Sequence, residues 1–363
     1  MPPFNPSLYW HRRHPLHLLL LPISWLFGAL AAVRRFLYRT GIFKSVRLPV
    51  PVVIAGNISV GGAGKTPLTL ALARQLVACG YHPLIVSRGY GGNAEQPQRV
   101  MQDSTAAQVG DEPLLMARRG VCPVWIGRDR AAAAQLALAQ HPECNVILCD
   151  DGLQHYRLQR DVEIVVVDGV RGFGNGWLLP AGMLREPIRR LQTVDAVVVN
   201  GGNCGYEFIR TSPARAKIDG ESVRINSHPQ ADAHPPAFSM QLSGAQFVNL
   251  LHPQQTAQAD DFKGLKLHAV AGIGNPPRYF DHLTSLDLSF TSHAFPDHHP
   301  YVAADLAFTD CDALLLTEKD AVKCASFADN RYWVLRVDAE LDPALMQLLL
   351  RKLQWHSVCP HAH

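Results

Sequence analysis

The stretch PVVIAGNISVGGAGKTPLTLALARQL, residues 51–76, determines the predicted fold. It contains an apolar strand, a glycine-rich turn that ends in Gly64, Lys65 and Thr66, and a helix with leucines at turn spacing. Glycines let backbone N–H groups converge on phosphate oxygens, and the amino terminus of the helix adds a partial positive charge. The stretch therefore predicts a strand, a phosphate-binding loop and a helix in direct succession.

The residues of this loop have separate expected tasks. Lys65 is expected to reach the β- and γ-phosphates of a nucleotide, and the Thr66 hydroxyl to bind Mg²⁺. The strict pattern G-x-x-x-x-G-K-[ST] requires glycine where this chain has Ser59, so the loop is nearer to the variant KGGxGKT, with Val60 in place of that variant's first lysine. We predict that the whole loop contacts the nucleotide, namely Ser59, Val60, Gly61, Gly62, Ala63, Gly64, Lys65 and Thr66.

The rest of the chain predicts the class of fold around this loop. Short runs rich in Val and Ile alternate with helical stretches; the runs are PVVIAGN, HPLIVSRG, PVWIG, NVILCDD, EIVVVDG and AVVVN. Continuous apolar runs are typical of parallel strands that are covered on both faces. The alternation predicts a P-loop NTPase-like α/β fold with a doubly wound parallel sheet.

The alternation also predicts the division into domains. It stops between about Gly201 and Gly264, where the shorter pieces ARAKIDG, ESVRIN and AFSMQLSG occur. It resumes with KLHAVAGIGNPPRYFDHL, CDALLLTEKDAVK and RYWVLRVD. We predict a kinase-type domain over 48–200, a β-rich, hairpin-like linker over 201–263 and a smaller α/β domain over 264–363, after an amino-terminal helical segment over 1–47.

The amino-terminal segment is apolar and flanked by basic residues. Leu16–Val33 has no formally charged residue, and Arg34, Arg35 and Arg39 follow it. A helix of that length reaches ~27 Å, slightly less than the hydrocarbon core of a bilayer. Spanning the membrane and lying in its interface both stay open, and a buried core helix is the alternative. If the helix spans, the arginines keep the main body in the cytoplasm.

Composition excludes several classes of protein. The chain has 363 residues, of which 47% are hydrophobic and 18% charged, which excludes a disordered chain and a protein with many membrane spans. The net charge of +3 gives no indication of nucleic-acid binding, and no protein partner is predicted. The 8 cysteines form no CxxC pair and so predict reduced thiols rather than a zinc site or a disulfide framework.

Acidic residues after two strands are candidates for the metal. Asp150 and Asp151 follow the apolar run NVILC, the position of a magnesium-binding carboxylate in P-loop enzymes. Asp168, at the end of EIVVVD, competes for the same role.

Phosphoryl transfer to an alcohol also needs a group that accepts the hydroxyl proton. Three clusters compete for this role on chemistry alone: Asp111 and Glu112 in GDEP; Asp297, His298 and His299 in FPDHHP; and Arg88 and Tyr90 in SRGYGG.

Seven motifs together resemble one family. GNISVGGAGKTP, SRGYGG, GDEP, DDGLQH, GIGNP, FPDHH and TEKDAVK occur in this order behind the apolar segment. This set is similar to that of the tetraacyldisaccharide 4'-kinases, the lipid A 4'-kinases of Gram-negative bacteria. The resemblance implies transfer of the ATP γ-phosphate to the 4'-hydroxyl of a tetraacylated glucosamine disaccharide 1-phosphate, at the cytoplasmic face of the bacterial inner membrane. The departure at Ser59 is shared with that family.

The resemblance also implies roles for single residues. Asp111 resembles the family's catalytic base, supported by His298. Asp150 and Asp151 resemble the acidic pair near magnesium. The family's other polar active-site residues correspond here to Arg88, Tyr90, Glu112 and His155.

Two other function classes fit parts of the sequence. VGGAGKT resembles the loop of membrane-bound ATPase switches of the partitioning type, but Val60 replaces their signature lysine and the apolar segment lies at the wrong end of the chain. TEKDAVK has a faint likeness to the guanine-reading loop of GTPases. An assay with ATP, GTP and a lipid acceptor separates the three classes.

Overall fold

The computed structural model describes Trp10, residues 16–201 and residues 235–358. Eight helices lie in these residues: α1 Leu16–Arg39, α2 Lys65–Ala78, α3 Ala106–Val109, α4 Asp111–Arg119, α5 Arg130–Gln140, α6 Pro276–Ser285, α7 Glu318–Cys324 and α8 Pro343–Val358. Short 3₁₀ helices cover Ile188–Thr193, Ala259–Phe262 and Ala303–Leu306.

Fifteen strands lie in the same described part of the chain. They are β1 Val52–Gly56, β2 Pro83–Ser87, β3 Gln98–Val100, β4 Val124–Ile126, β5 Val146–Asp150, β6 Val162–Asp168, β7 Ala196–Asn200, β8 Ala237–Ser243, β9 Phe247–Asn249, β10 Thr256–Ala257, β11 Leu267–Ala271, β12 Phe290–Ala294, β13 Ala313–Thr317, β14 Tyr332–Leu335 and β15 Asp338–Leu341.

The larger sheet has nine strands in the order β15-β8-β7-β6-β1-β5-β2-β4-β3. All neighbours from β8 to β4 pair in parallel, and only the edge strands β15 and β3 are antiparallel. Leu68, Leu114 and Leu349 bury one face under α2, α4 and α8. Ala133 and Ala137 of α5 belong to the core on the other face. Both faces are therefore covered, which confirms the predicted doubly wound parallel sheet.

The smaller sheet has six strands in the order β10-β9-β14-β13-β11-β12. The four strands β14, β13, β11 and β12 are parallel, and β9 joins β14 in antiparallel. Two separate apolar cores cover its faces. We call the body around the larger sheet the first lobe and the body around the smaller sheet the second lobe.

The chain crosses between the lobes at two described places. Gly244 leads from β8 to β9, and Arg336 and Val337 lead from β14 to β15. A Cβ at Gly244 would lie 2.0 Å from the carbonyl oxygen of Arg336, so the crossings are closely packed. Residues from Asp338 onward return to the first lobe. We propose that they belong to it, whereas the sequence-based division placed 264–363 in one domain.

The predicted linker over 201–263 includes strands of both lobes. The piece AFSMQLSG forms β8, which pairs in parallel with β7. Strands β9 and β10 begin the second lobe. The pieces ARAKIDG and ESVRIN lie outside the described residues, so the hairpin-like character of the linker stays a prediction.

Helix α1 is long and mostly uncovered. His17–Arg39 is long and apolar enough to cross a membrane by length and composition, and only 11% of its apolar window is buried. Leu19 and Trp25 are exposed at 74% and 69%. On the opposite side, the Ser24 hydroxyl donates to the carbonyl of Leu178 and accepts from the backbone N–H of Ala181, both at 2.9 Å. The alternative of a buried core helix is therefore wrong.

Candidate active site

The phosphate loop connects β1 to α2, as the sequence predicts. Gly64, the residue before α2, has a left-handed φ of +97°. A Cβ there would lie 2.3 Å from Nδ2 of Asn200, which donates a 2.9 Å hydrogen bond to the carbonyl of Ala63. Glycine is therefore required at this position for backbone conformation and for space.

A second segment of the first lobe supports the other end of the loop. The backbone N–H of Val60 donates to the carbonyl of Met183 at 2.8 Å, and that of Arg185 donates to the carbonyl of Ile58 at 2.7 Å. The same segment contains Leu178, which packs against Gly28 of α1. The phosphate loop and α1 are thus held by one stretch of chain.

Lys65, the first residue of α2, extends its ammonium to the carboxyl ends of β1 and β5. Its Nζ donates to Oδ1 of Asn57 at 3.3 Å and lies 3.5 Å from Oδ1 of Asp151. The side chain is only 11% exposed. The ammonium is therefore held beside the carboxyl end of β5, where the acidic pair begins.

The two carboxylates of this pair have different surroundings. Asp150 is completely buried, and its Oδ1 accepts a 3.1 Å hydrogen bond from the Thr69 hydroxyl. Its Oδ2 has no hydrogen-bond partner among the described residues. Burial, followed by the charges of Glu112 and Asp151, raises the pKa of Asp150 to about 7. An unpartnered buried carboxylate oxygen of this kind fits a cation.

Asp151 is already paired. Its oxygens accept from Nη1 of Arg185 at 3.2 and 3.3 Å. Burial raises the pKa of Asp151, but the charges of Lys65, Arg185 and Arg130 outweigh burial and hold it below its usual value. The backbone φ of Asp151 is +48°, so the residue does not continue the extended backbone of β5. The geometry therefore distinguishes the two carboxylates, which sequence alone did not.

The residues present fit Mg²⁺. No cluster of three or more His, Cys, Asp or Glu that could hold a metal occurs in the described residues. Mg²⁺ in P-loop enzymes needs no such cluster, because one or two protein oxygens and the nucleotide phosphates complete its shell. Thr66 is buried in the first turn of α2, and Asp150 has the free oxygen. Asp168, the other candidate for the metal, forms an ion pair with Arg171, whose Nε donates to it at 2.9 Å.

Asp111 and His298 meet across the two lobes. Asp111 is the first residue of α4, and His298 follows β12. Nδ1 of His298 lies 2.9 Å from Oδ2 of Asp111, and the backbone N–H of Glu112 donates to Oδ1 at 3.0 Å. Burial raises the pKa of Asp111, but the hydrogen bond from His298 and the charge of Lys319 hold it below its usual value. The Asp111 side chain is 5% exposed and His298 30%, so the imidazole is the accessible end of the pair.

Of the four other polar residues predicted for the site, three line one cavity and the fourth, His155, does not. Arg88, Tyr90 and Glu112 line the same cavity as His298, and the Tyr90 ring lies edge-on to His298 with centroids 5.2 Å apart. His155 is not among the lining residues. Its Nε2 is 3.7 Å from Asp129, and burial, followed by the charge of Arg130, lowers its pKa to about 4.

A cavity of about 1260 Å³ brings most of these groups together. The phosphate loop, Asp151, His298 and Lys319 line one part of it. Helix α1 lines another part of the cavity with apolar residues and three arginines. Arg185 and Arg189 add further positive charge. The lining residues of α1 are Phe27, Gly28, Leu30, Ala31, Ala32, Arg34, Arg35, Phe36 and Arg39. The space therefore extends from a phosphate-binding loop to an apolar helix.

Sequence analysis missed four charged residues near the loop. Arg185 pairs with Asp151, and Lys319 with Glu112. Nη2 of Arg171 donates to the carbonyl of Gly62 at 2.5 Å. Nη2 of Arg278, from α6 of the second lobe, donates to Oδ1 of Asn200 at 2.8 Å. Lys319 lies in the motif TEKDAVK, which was the available signal; the three arginines stand out by no local pattern.

Comparisons with known proteins agree on one family. A family model described as "Tetraacyldisaccharide-1-P 4'-kinase" matches residues 16–354. A tetraacyldisaccharide 4'-kinase of Dechloromonas aromatica (strain RCB) is 50% identical over 348 residues, 96% of this chain and 96% of the relative. One of Azoarcus sp. (strain BH72) is 48% identical over 352 residues, 97% of this chain and 96% of the relative.

A solved structure is also similar over nearly its full length. It is a crystal structure of LpxK from Aquifex aeolicus in complex with ATP. The two chains are 28% identical and superimpose with a TM-score of 0.73, covering 93% of this chain and 99% of that one. The overall fold is therefore shared, including the predicted P-loop type.

Proposed function

Because this chain belongs to the family of tetraacyldisaccharide 4'-kinases, we propose that the cavity between the two lobes and α1 is where the reaction takes place. The enzyme transfers the γ-phosphate of ATP to the 4'-hydroxyl of a tetraacylated glucosamine disaccharide 1-phosphate. The observation that carries the proposal is the continuity of the cavity. One space joins the phosphate loop, His298 and the apolar residues of α1.

We propose that ATP binds with its terminal phosphates on the loop from Ser59 to Thr66. The backbone amides before α2 and the Lys65 ammonium supply the positive charge. Thr66 and Asp150 would hold Mg²⁺, with Asp151 nearby. Mg²⁺ held by these residues would supply positive charge that offsets the negative charge of the nucleotide phosphates.

Asp111 and His298 together accept the proton of the acceptor hydroxyl. They share a 2.9 Å hydrogen bond and therefore act as one unit. The imidazole is the end of this unit that faces the cavity, and the buried Asp111 carboxylate stabilises positive charge on it. As the hydroxyl loses its proton to the pair, its oxygen bonds to the γ-phosphorus and the bond to the ADP oxygen breaks.

The acceptor lipid lies with its sugars in the cavity and its acyl chains along α1. Leu30 and Phe36 are exposed at 62% and 61%, which suits contact with hydrocarbon. Arg34, Arg35 and Arg39 lie on the same helix beside the cavity, where they can bind the 1-phosphate of the acceptor. An acceptor without the 1-phosphate should therefore bind more weakly.

The same helix attaches the enzyme to the membrane. Its exposed apolar residues stand beside basic residues, the combination that binds anionic lipid surfaces. We place the enzyme at the cytoplasmic face of the bacterial inner membrane, because ATP is cytoplasmic and the acceptor's acyl chains cannot leave the bilayer cheaply, at ~0.8 kcal/mol per buried CH₂. The changes Leu26→Asp and Leu30→Asp should together reduce sedimentation with anionic vesicles.

An assay with the purified protein tests the reaction. The protein is mixed with ATP, Mg²⁺ and the tetraacyldisaccharide 1-phosphate in detergent micelles, and ³¹P NMR follows the lipid. We expect a second phosphomonoester on the lipid, formed in equal amount to ADP. The Lys65→Ala variant should form neither ADP nor the phosphorylated lipid.

Two outcomes would replace this proposal. ADP formed without a phosphorylated lipid would favour an ATPase switch. A strong preference for GTP would favour a GTPase-like base site near TEKDAVK.

Omission of the 1-phosphate from the acceptor should raise the KM for the acceptor more than it lowers kcat, since the arginines of α1 lie away from the transferred phosphate.

A further inference from the structure

Lys319 lies at the centre of a charged cluster that joins the lobes. It is the second residue of α7 in the second lobe. Its Nζ is 3.1 Å from Oδ1 of Asp297, which belongs to the same lobe, and 3.2 Å from Oε1 of Glu112, which belongs to α4 of the first lobe. The side chain is 16% exposed. One ammonium therefore neutralises carboxylates from both lobes.

The same ammonium lies close to both members of the proton-accepting pair. It lies 3.3 Å from Nε2 of His298 and 4.0 Å from Oδ2 of Asp111. An ammonium has three donors and no acceptor. In this contact Nε2 of His298 must therefore accept, which places the ring proton on Nδ1, where it is donated to Asp111.

We propose that Lys319 is a positioning residue for the transfer reaction: it keeps Nε2 of His298 free of a proton and holds Asp111 and His298 together across the lobe interface. This inference rests on the proposed role of that pair. Glu112 directly follows Asp111, and Asp297 directly precedes His298, so the two carboxylates that Lys319 binds fix both partners of the pair. When the acceptor hydroxyl takes the place of Nζ at Nε2, the ammonium keeps its two carboxylates and stays beside the oxygen that gains negative charge.

A neighbouring contact shows that this interface is built around α4 and α7. Glu318, the residue before Lys319, accepts from Nη2 of Arg119 at the carboxyl end of α4 at 2.5 Å. Arg119 also donates to the carbonyl of Val337 at 2.8 Å and to Asp338 at 3.1 Å. The backbone around Lys319 is therefore anchored independently of its own side chain, so a change at Lys319 leaves the docking of α7 on α4 in place.

Three variants of the full-length protein test the proposal. Lys319→Met keeps the length of the side chain and removes its charge and donors, whereas Lys319→Arg keeps both. Lys266→Met is the matched control: Lys266 is an exposed lysine of the second lobe whose partner is Asp310, remote from the cavity. The measurements are kcat, KM for ATP, and the pH at which Nε2 of His298 takes up a proton, followed by ¹⁵N NMR and assigned with His298→Asn.

We expect Lys319→Met to lower kcat by about 10- to 100-fold, the range for loss of one preorganised electrostatic contact. KM for ATP should change by less than about threefold, because the phosphate loop is untouched, as expected for an interaction that acts in the transition state. Nε2 of His298 should take up a proton at a higher pH than in the wild type, because the neighbouring positive charge of Lys319 is gone. Lys319→Arg should recover most of the loss, and Lys266→Met should match the wild type.

The inference is overturned if Lys319→Met keeps kcat within twofold, or if its His298 takes up the proton at Nε2 at the same pH as in the wild type. A merely structural role would lower the unfolding midpoint and leave the protonation of Nε2 unchanged, which also overturns it. Asp111→Asn is measured in the same assay. If Asp111→Asn retains full turnover, the proposed pair itself is wrong; if only Lys319→Met retains it, the pair stands and the role of Lys319 is wrong.

Discussion

The phosphate loop and the charged cluster around Lys319 are built in opposite ways. The loop is one uninterrupted segment between β1 and α2, and its shape is set by backbone conformation at Gly61 and Gly64, both with positive φ. The cluster takes side chains from three separate segments in two lobes. The hydrogen bonds that hold the loop come from Met183, Arg171 and Asn200 of the first lobe, whereas the geometry of the cluster depends on how the two lobes are placed. Binding of ATP and proton transfer should be separable by mutation.

The largest expected effect comes from Asp111→Asn. The change removes the charge of the proton-accepting pair and keeps the size of the side chain. We expect kcat to fall by roughly 10²- to 10⁴-fold, the usual share of general base catalysis. Calorimetric binding of ATP should stay within about threefold of the wild type, because the loop makes no hydrogen bond to Asp111.

Lys65→Ala provides the opposite comparison, since it should weaken ATP binding as well as turnover. If Asp111→Asn weakened ATP binding as strongly as Lys65→Ala does, the two regions would not be separable. Near-normal kcat in folded Asp111→Asn would show that another group accepts the proton.

A smaller effect is expected from Gly64→Ala, which disturbs only the loop. The left-handed φ strains an alanine, and its Cβ would overlap Nδ2 of Asn200 at 2.3 Å. Gly80→Ala is the matched control, because Gly80 has φ +83° and nothing within 4 Å of its Cβ position. We expect Gly80→Ala to lower the free energy of unfolding by about 1 kcal/mol, and Gly64→Ala by ~2–4 kcal/mol with weaker ATP binding.

Urea unfolding and ATP calorimetry check this difference. Equal destabilisation by the two changes would mean that the contact with Asn200 yields easily. A loss of proton transfer in Gly64→Ala at saturating ATP would mean that the loop and the cluster are coupled after all.

Sequence predicted those features that local chemistry determines. The strand, the glycine turn and Lys65 follow from one segment, and Asp150 could be placed near them because the carboxyl ends of parallel strands meet at one edge of a sheet. The strands β1 and β5 are indeed direct neighbours. The free oxygen of Asp150 and the Arg185 partner of Asp151 were not predictable, because both depend on contacts between segments that are distant in the sequence.

Contacts between the lobes were beyond the reach of sequence patterns. Lys319 and Glu112 are 207 positions apart, and nothing in either local sequence indicates the other. The pairing of Asp111 with His298 was implied only by resemblance to the family, and the structure brings the two together at 2.9 Å. The domain boundary was similarly obscure, because β15 and α8 return to the first lobe after a pattern that continues without a break.

The smallest expected effect is the pH dependence of the contact between Asp111 and His298. The hydrogen bond to Asp111 raises the pKa of His298 despite burial and the charge of Lys319, which lower it. A raised pKa in the folded state means that the stabilisation is fully present below the unfolded value of ~6.5 and is lost as pH rises through the folded value. Asp111 has a lowered pKa, so its contribution is lost only in stronger acid.

The pair should therefore stabilise the protein more at pH 5.5 than at pH 8.5. We expect the loss of unfolding free energy in His298→Asn to be larger at the lower pH by less than about 1 kcal/mol, since the imidazole is partly exposed. Urea unfolding of both proteins at the two pH values measures this, and NMR titration of His298 should show a pKa above 6.5. The opposite pH trend would mean that the charge of Lys319 outweighs that of Asp111 at the imidazole, so that the cluster repels the proton that it is proposed to accept.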